Sequence, residues 1–383
     1  MTVVWHFPNR ILFGESVAAE TGAETARLGG HRALVVTDSG VVDAGLVDDV
    51  EKSLRRSKIG FEVFTGVSSN PRADEAVAAA EAFRQAQADL VVAVGGGSAI
   101  DVGKLVRILA SHPGPLGQYA EAVGGDEKIT EPMPPMIALP TTAGTGSEVG
   151  RSAVATMEDT GRKTVFFHPR LIPDVAILDP TLTTTMSPRT TAATGFDALT
   201  HCIEAYCAQG DHPMADAIAF EGVALVARNL PKAVENGEDL QARGAMLKAA
   251  MMGAVAFQKG LGACHSLAHP LSAELGLHHG LANALCLPAV LDFNRSAVPR
   301  KISRVARRLG ARGDDTETLA FECSGSVRAL RRKVGLPEGL EEAGVSEDVL
   351  PRLAALAVED GSHALNPRPC SKDDMLALYK ASM

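Results

Sequence analysis

Two kinds of hydrophobic pattern alternate through the first half of the chain. Short apolar, largely β-branched runs at 33–37 (ALVVT), 61–64 (FEVF), 90–94 (LVVAV), 136–139 (MIAL) and 175–178 (VAIL) predict strands. Stretches of helical composition lie between several of them, at 72–87 and 99–110 for example. Strands alternating with helices predict a parallel sheet covered on both faces. The run at 91–94 is apolar without alternation, as expected of a central strand buried from both sides. Near the start, 3–7 and 10–13 also have strand character. Such an edge tends to be paired or covered, so a homo-oligomer, most simply a dimer, is expected.

After about residue 180 the texture changes. Ser187 followed by Pro188 reads as an N-cap and a proline at the first helical position. From there the chain is rich in Ala, Leu and Met with helical periodicity, and 216–229, 240–257 and 346–359 predict helices. The division expected is an α/β domain over 1–185 and an all-helical domain over 186–383, with no internal repeat or low-complexity tract.

Composition narrows the possible partners. The chain carries 37 basic and 46 acidic residues, a net charge of −9, with no long basic run. A nucleic-acid partner is excluded on that balance, because phosphate binding needs a positive footprint. No segment approaches the roughly 20 apolar residues of a membrane span, and the first residues do not read as a signal peptide. The six cysteines include no C-x-x-C pair and predict thiols rather than a disulfide framework, consistent with a cytoplasmic protein.

Two loops carry candidate chemistry. Gly95-Gly96-Gly97-Ser98 follows the strand at 90–94 and precedes a helix. Glycines there admit a pyrophosphate to the backbone, and the helix N-terminus offers free N–H groups. Alone, such a turn is as readily structural, and it does not fit G-x-G-x-x-G. The second loop, PTTAGTGSE at 140–148, follows another strand with hydroxyls and glycines. Two such loops on neighbouring strands make a crevice suited to a dinucleotide. Asp38, at the end of the 33–37 strand, is placed either to bind a ribose 2′-OH and repel a 2′-phosphate, or simply to make a turn.

A different chemistry gathers downstream. Asp197 and His201 stand four apart on an apparent helix, hence on one face, and His265 and His269 repeat the spacing. His278 and His279 follow. A single histidine on such a helix is ordinarily a satisfied core or surface residue. Several imidazoles near an acid suit a divalent transition metal, although spacing alone does not say which of them meet.

Together these segments resemble the iron-containing (group III) alcohol dehydrogenase family over nearly the whole chain. The resemblance rests on GGGSAID at 95–101, the 140–148 loop, GFDALTH at 195–201 with EAY at 204–206, residues 265–288, and NPR at 366–368. It implies a dehydroquinate synthase-like architecture of an α/β nucleotide-binding domain with a parallel sheet and an all-α metal-binding domain. It implies NAD as cofactor and Fe²⁺, with Zn²⁺ also accommodated, held by Asp197, His201, His265 and His279. His269 matches a nearby catalytic histidine that is not a ligand, and His278 matches no ligand position. Gly96, Gly97 and Ser98 match the pyrophosphate loop, while Asn70, Thr141, Thr142 and Lys163 match other cofactor contacts. Asp38 matches an acid associated with NAD preference. Gly150 departs from the family, where a bulkier Thr is common, and implies either a wider pocket or a relaxed loop. The activity implied is hydride transfer between NAD and a small primary alcohol, diol or hydroxy acid. The alternatives are a metal-independent oxo-acid reductase of the maleylacetate type and a dehydroquinate synthase-like lyase. Retention of all four ligand positions argues against the first, and the Asp/His/His/His pattern with the 140–148 loop against the second.

Overall fold

The computed structural model describes residues 7, 9–159, 161 and 163–383, so most of the strand expected at 3–7 lies outside the described residues. The chain forms two compact units, Phe7–Thr142 with Gly146–Thr185 in one and Ala143–Thr145 with Met186–Met383 in the other.

In the first unit the strands are β1 (Arg10–Phe13), β2 (Arg32–Val36), β3 (Gly60–Phe64), β4 (Leu90–Gly95), β5 (Met136–Pro140), β6 (Ser152–Thr156), β7 (Lys163–Phe167) and β8 (Val175–Leu178). Its helices are α1 (Thr21–Arg27), α2 (Ser39–Asp43), α3 (Asp48–Arg56), α4 (Ala73–Gln85) and α5 (Gly97–Ser111). Among the described residues six strands pair in the order β1-β8-β5-β4-β2-β3, and every ladder is parallel. The strands expected from the apolar runs are all present. Period-2 geometry explains why β4 lacks alternation. Val91 and Ala93 face one core with Leu34, Val36 and Met136, beneath α4 and α5. Leu90, Val92 and Val94 face the other, with Val50 and Leu54 of α3. A continuous apolar run is therefore two interleaved apolar faces.

From β2 the chain runs to β3 on one flank, then returns to lay β4 on the other flank of β2. Beyond the carboxyl ends of β2 and β4 the strand order reverses, which is where open α/β sheets bind ligands. One element escaped the sequence reading: β6 and β7 form an antiparallel pair, with β6 (SAVAT) alternating between buried and partly exposed.

A polar network is buried between α5 and this pair. Lys104, fully enclosed, donates from Nζ to Ser147 Oγ and to the Ser152 carbonyl, both at 2.7 Å. Ser147 Oγ donates to Asp101 Oδ1 at 2.5 Å, and the Val154 amide donates to Asp101 Oδ2 at 3.0 Å. Burial pushes the Lys104 ammonium down to about 8 against the pull of Asp101 and Glu148. Burial likewise pushes the Glu148 carboxyl up to about 7.

The second unit contains α6 (Pro188–Cys207), α7 (Pro213–Glu235), α8 (Leu240–Ala256), α9 (Ala263–Leu275), α10 (His279–Asn294), α11 (Pro299–Arg308), α12 (Thr316–Lys333), α13 (Leu350–Ala357) and α14 (Lys372–Ala381). As its sequence predicts, α6 starts at Pro188 behind a Ser187 cap that accepts from the Thr190 amide. Two helix bounds differ from expectation. Helix α7 continues past 229 through Pro231 to Glu235. The stretch 346–359 is a 3₁₀ turn followed by α13, with Pro351 in the first helical turn, where its missing N–H costs nothing. No helix among the described residues is long and apolar enough to cross a membrane. All six cysteines are free thiols.

Helix α6 is buried along most of its length and packs against α7, α8 and α10. Contact with α10 is close enough that a Cβ on Gly280 would lie 2.1 Å from the Ala193 carbonyl oxygen. Gly280→Ala must push α10 off α6, and overpacking of this kind costs about 1–3 kcal/mol. Urea denaturation should therefore show a lowered midpoint, and an unchanged midpoint would contradict the contact. The buried network makes a prediction of its own. Because Glu148 holds its proton more tightly when folded, its contribution is complete below about pH 4.5 and is lost as pH rises through about 7. In thermal melts, Glu148→Gln should gain on the parent between pH 5 and pH 8, whereas a constant difference across that range would refute the sign.

Candidate active site

Three helices converge on one carboxylate. Asp197 sits mid-way along α6, and one turn later His201 brings Nε2 to 3.8 Å from Asp197 Oδ1. Helix α9 carries His265, whose Nε2 lies 3.8 Å from the same oxygen. Helix α10 opens with His279, whose Nε2 lies 3.4 Å away. One donor atom each from Asp197, His265 and His279 fall within 4.8 Å of one another. The His201 ring stacks on His265 with centroids 4.6 Å apart. His278 precedes the first turn of α10 and is exposed, so of the adjacent pair it is His279 that faces Asp197. His269 stacks on His279 at 5.3 Å, keeps a 42% exposed side chain, and places Nδ1 2.8 Å from Asp360 Oδ2.

Burial sets the protonation of this cluster. It pushes His201 down to about 4 and His279 well below the ordinary imidazole value. It also opposes the charged form of His265, but the charge and hydrogen bond of Glu204, aided by Asp197, outweigh it and leave that ring raised. Asp197 feels the same burial, yet the imidazoles and the Asn283 amide hold it below the usual carboxylate range. The lowered rings of His201 and His279 are neutral and keep lone pairs available. The donor atoms of Asp197, His265 and His279 form a compact set that fits a divalent transition ion such as iron or zinc, while His201 Nε2 reaches Asp197 Oδ1 at 3.8 Å without joining that 4.8 Å set.

Three side chains around this cluster have no role assigned from the sequence, although Glu204 stands in the EAY segment at 204–206. Glu204 follows His201 by three residues and lies on the same stripe of α6 as Asp197, and its Oε2 is 2.5 Å from His265 Nδ1. Asn283, one turn after His279, donates from Nδ2 to Asp197 Oδ1 at 2.9 Å and lies 3.2 Å from His279 Nε2. Both were detectable as polar residues at helical spacing from a candidate ligand. Asp360 caps a 3₁₀ turn far along the chain, and no local pattern ties it to His269.

The glycine loop lies in the first unit, as do residues 140–142 and 146–148 of the second loop, whereas Ala143–Thr145 group with the helical unit. Val36 pairs with Ala93, and continuing that register sets Asp38 beside Gly95. Asp38 also caps α2, Oδ1 accepting from the Val41 amide at 3.0 Å, so its role as a turn residue is real. Gly96 is the N-cap of α5, with Gly97 and Ser98 in its first turn and no side chain capping them. Ser98 Oγ donates to the Ser69 carbonyl, which brings Asn70 near the loop. β5 pairs with β4, and the Thr141 amide donates to the Gly95 carbonyl at 2.9 Å, setting Thr141 and Thr142 against the glycines. Lys163 opens β7 within the influence of the Asp101 charge. Gly150 has an ordinary extended backbone (φ −87°), and a Cβ there would lie 3.6 Å from Lys104 Nζ. Backbone geometry therefore does not explain that glycine.

Comparisons with known proteins agree over the whole chain. Residues 8–180 match the iron-containing alcohol dehydrogenase family, and 191–383 match the C-terminal part of the Fe-containing alcohol dehydrogenase family. A 4-hydroxybutyrate dehydrogenase from Cupriavidus necator is 41% identical over 368 residues, 94% of each chain. A 1,3-propanediol dehydrogenase from Klebsiella pneumoniae is 39% identical over 378 residues, 97% of each. A crystal structure of a 1,3-propanediol oxidoreductase superposes over 100% of both chains with a TM-score of 0.96 at 38% identity. With the parallel sheet, the helical unit and the Asp/His cluster all accounted for, the chain belongs to the iron-containing alcohol dehydrogenase family and is an oxidoreductase of that family.

Proposed function

We propose that the protein is an NAD-linked dehydrogenase of small primary alcohols, diols or hydroxy acids, with Asp197, His201, His265 and His279 holding one divalent ion, Fe²⁺ or Zn²⁺. The observation that carries this reading is the convergence of three imidazole nitrogens on one buried carboxylate oxygen. Bound there, the ion supplies Lewis acidity toward the substrate oxygen, and NAD supplies the hydride acceptor. The chain's own residues bind and orient. Gly96, Gly97 and Ser98 receive the pyrophosphate with the free amides of α5, and Asp38 takes the ribose hydroxyls. Asn70, Thr141, Thr142 and Lys163 complete the cofactor contacts. His269, its Nδ1 tied to Asp360, exchanges the hydroxyl proton through Nε2. A terminal CH₂OH on a short chain is the substrate class favoured, because relatives named for 4-hydroxybutyrate and 1,3-propanediol both carry one.

Alanine at Asp197, His201, His265 or His279 should each strip or weaken metal binding, since an incomplete donor set remains. NADH binding should survive in all four. His269→Ala should keep metal and lose turnover, and His278→Ala should be the mildest. Elemental analysis alongside NADH titration and activity measures this order. Loss of metal in His278→Ala with retention in His279→Ala would shift the ligand register by one residue, and full activity in all four would remove the metal from the reaction.

The protein should also prefer NAD to NADP. A 2′-phosphate beside Asp38 costs at least about 1–2 kcal/mol, roughly tenfold in catalytic efficiency. Steady-state kinetics with both cofactors decides it, and equal efficiency with NADP would withdraw Asp38 from that role.

A further inference from the structure

Glu204 belongs to α6, yet both of its carboxyl oxygens serve α9. Oε1 accepts from the Cys264 amide at 2.6 Å, and Oε2 lies 2.5 Å from His265 Nδ1. The side chain is 4% exposed and His265 1%, so neither contact is shared with solvent. Helix α9 needs such a partner, because its N-cap is Gly262, which has no side chain to offer. That glycine also permits the approach: a Cβ at 262 would lie 2.7 Å from Glu204 Oε1 and 2.9 Å from Asn366 Oδ1. The Ala263 amide donates to Asn366 Oδ1 at 3.2 Å, so two distant side chains cap the start of the helix. A carboxylate at this end is favoured by the helix dipole as well.

We propose that Glu204 is a positioning residue for the metal centre, fixing His265 as the Nδ1–H tautomer so that the Nε2 lone pair faces Asp197. The proposal rests on the metal reading above. A ring nitrogen can ligate only if it carries no proton, and the proton must then reside on the other nitrogen. Asn283 Nδ2, 3.5 Å from His265 Nε2, marks the side on which that lone pair has to be available. By accepting from the Cys264 amide and from Nδ1–H at once, Glu204 sets both the tautomer and the rotation of the ring about the first turn of α9.

The isosteric change Glu204→Gln isolates this role. A carboxamide has a single acceptor oxygen where the carboxylate has two. If its NH₂ meets His265 Nδ1, that nitrogen must become the acceptor and the proton moves to Nε2. If it turns over, NH₂ meets the Cys264 N–H and the helix cap is lost. The test is competitive titration of apoprotein with Co²⁺ against a chelator, read by the visible ligand-field absorption, alongside thermal melts of the apoprotein and NADH titration. Glu204→Gln should bind Co²⁺ about ten- to hundredfold more weakly with an altered spectrum, while NADH affinity stays at the parent level. Glu204→Asp, which keeps two acceptor oxygens one methylene short, should fall between, and it carries the test should the Gln variant not fold. A role in capping alone would lower the apoprotein melting temperature and leave Co²⁺ affinity and spectrum unchanged, which overturns the proposal. If the parent binds no stoichiometric Co²⁺ at these residues, the metal reading fails first; parent binding matched by both variants sinks the Glu204 assignment alone.

Discussion

A carboxylate buried among three imidazoles is the constraint around which the helical unit is arranged. Taking Asp197 out of water is costly unless every remaining lone pair finds a partner, and breaking one such buried pairing commonly costs about 3–5 kcal/mol. The partners cannot come from α6 alone, because a helix offers only its i±3 and i±4 neighbours on any one face. Helices α9 and α10 must therefore reach Asp197 from outside, and the backbone of α10 has to pass α6 almost in contact. Gly280 provides that approach immediately beside His279. Gly195, Gly222 and Gly253 serve neighbouring helix crossings in the same way, a Cβ at each lying within 3 Å of a facing side chain.

The α/β unit positions its loops by other means. There the sheet topology fixes where the loops lie, and the groups on offer at the start of α5 are backbone amides rather than titratable side chains. Pairing of β2, β4 and β5 brings Asp38, Gly96 and Thr142 to one end of the sheet with little help from side-chain contacts. The enclosed Lys104, Asp101 and Ser147 group then anchors the segment that follows the second loop, so that the loop's exit is held as firmly as its entry.

Legibility in the sequence tracks how local each determinant is. Strands buried on both faces were readable because unbroken β-branched runs have few other uses, and Ser187 with Pro188 announced the start of α6. The β6–β7 pair was not, because Ser, Ala and Thr alternate too weakly in hydrophobicity to register as period 2. Pro231 and Pro351 show the converse: a proline restricts the backbone without deciding, by itself, on which side of it a helix will lie. Within the site, the four-residue spacing exposed Asp197 with His201, whereas His278 and His279 differ only by where α10 begins. Asp360 could not be found from local pattern at all, because its partnership with His269 exists only once distant segments have packed.

The pairing of β1 with β8 has a consequence for the order of events during folding. Arg10 lies opposite Val175, so the strand at the head of this unit finds its ladder only when almost the last of the unit's residues are available. Every other ladder in the sheet joins strands much closer in sequence, and contacts of long sequence separation are the slow ones to form. During synthesis the central strands can assemble while β1 waits, its amides and carbonyls unpaired along one edge. Among the described strands of this sheet, the first in the chain is therefore the last to pair, and until it does so it is open to the wrong partner.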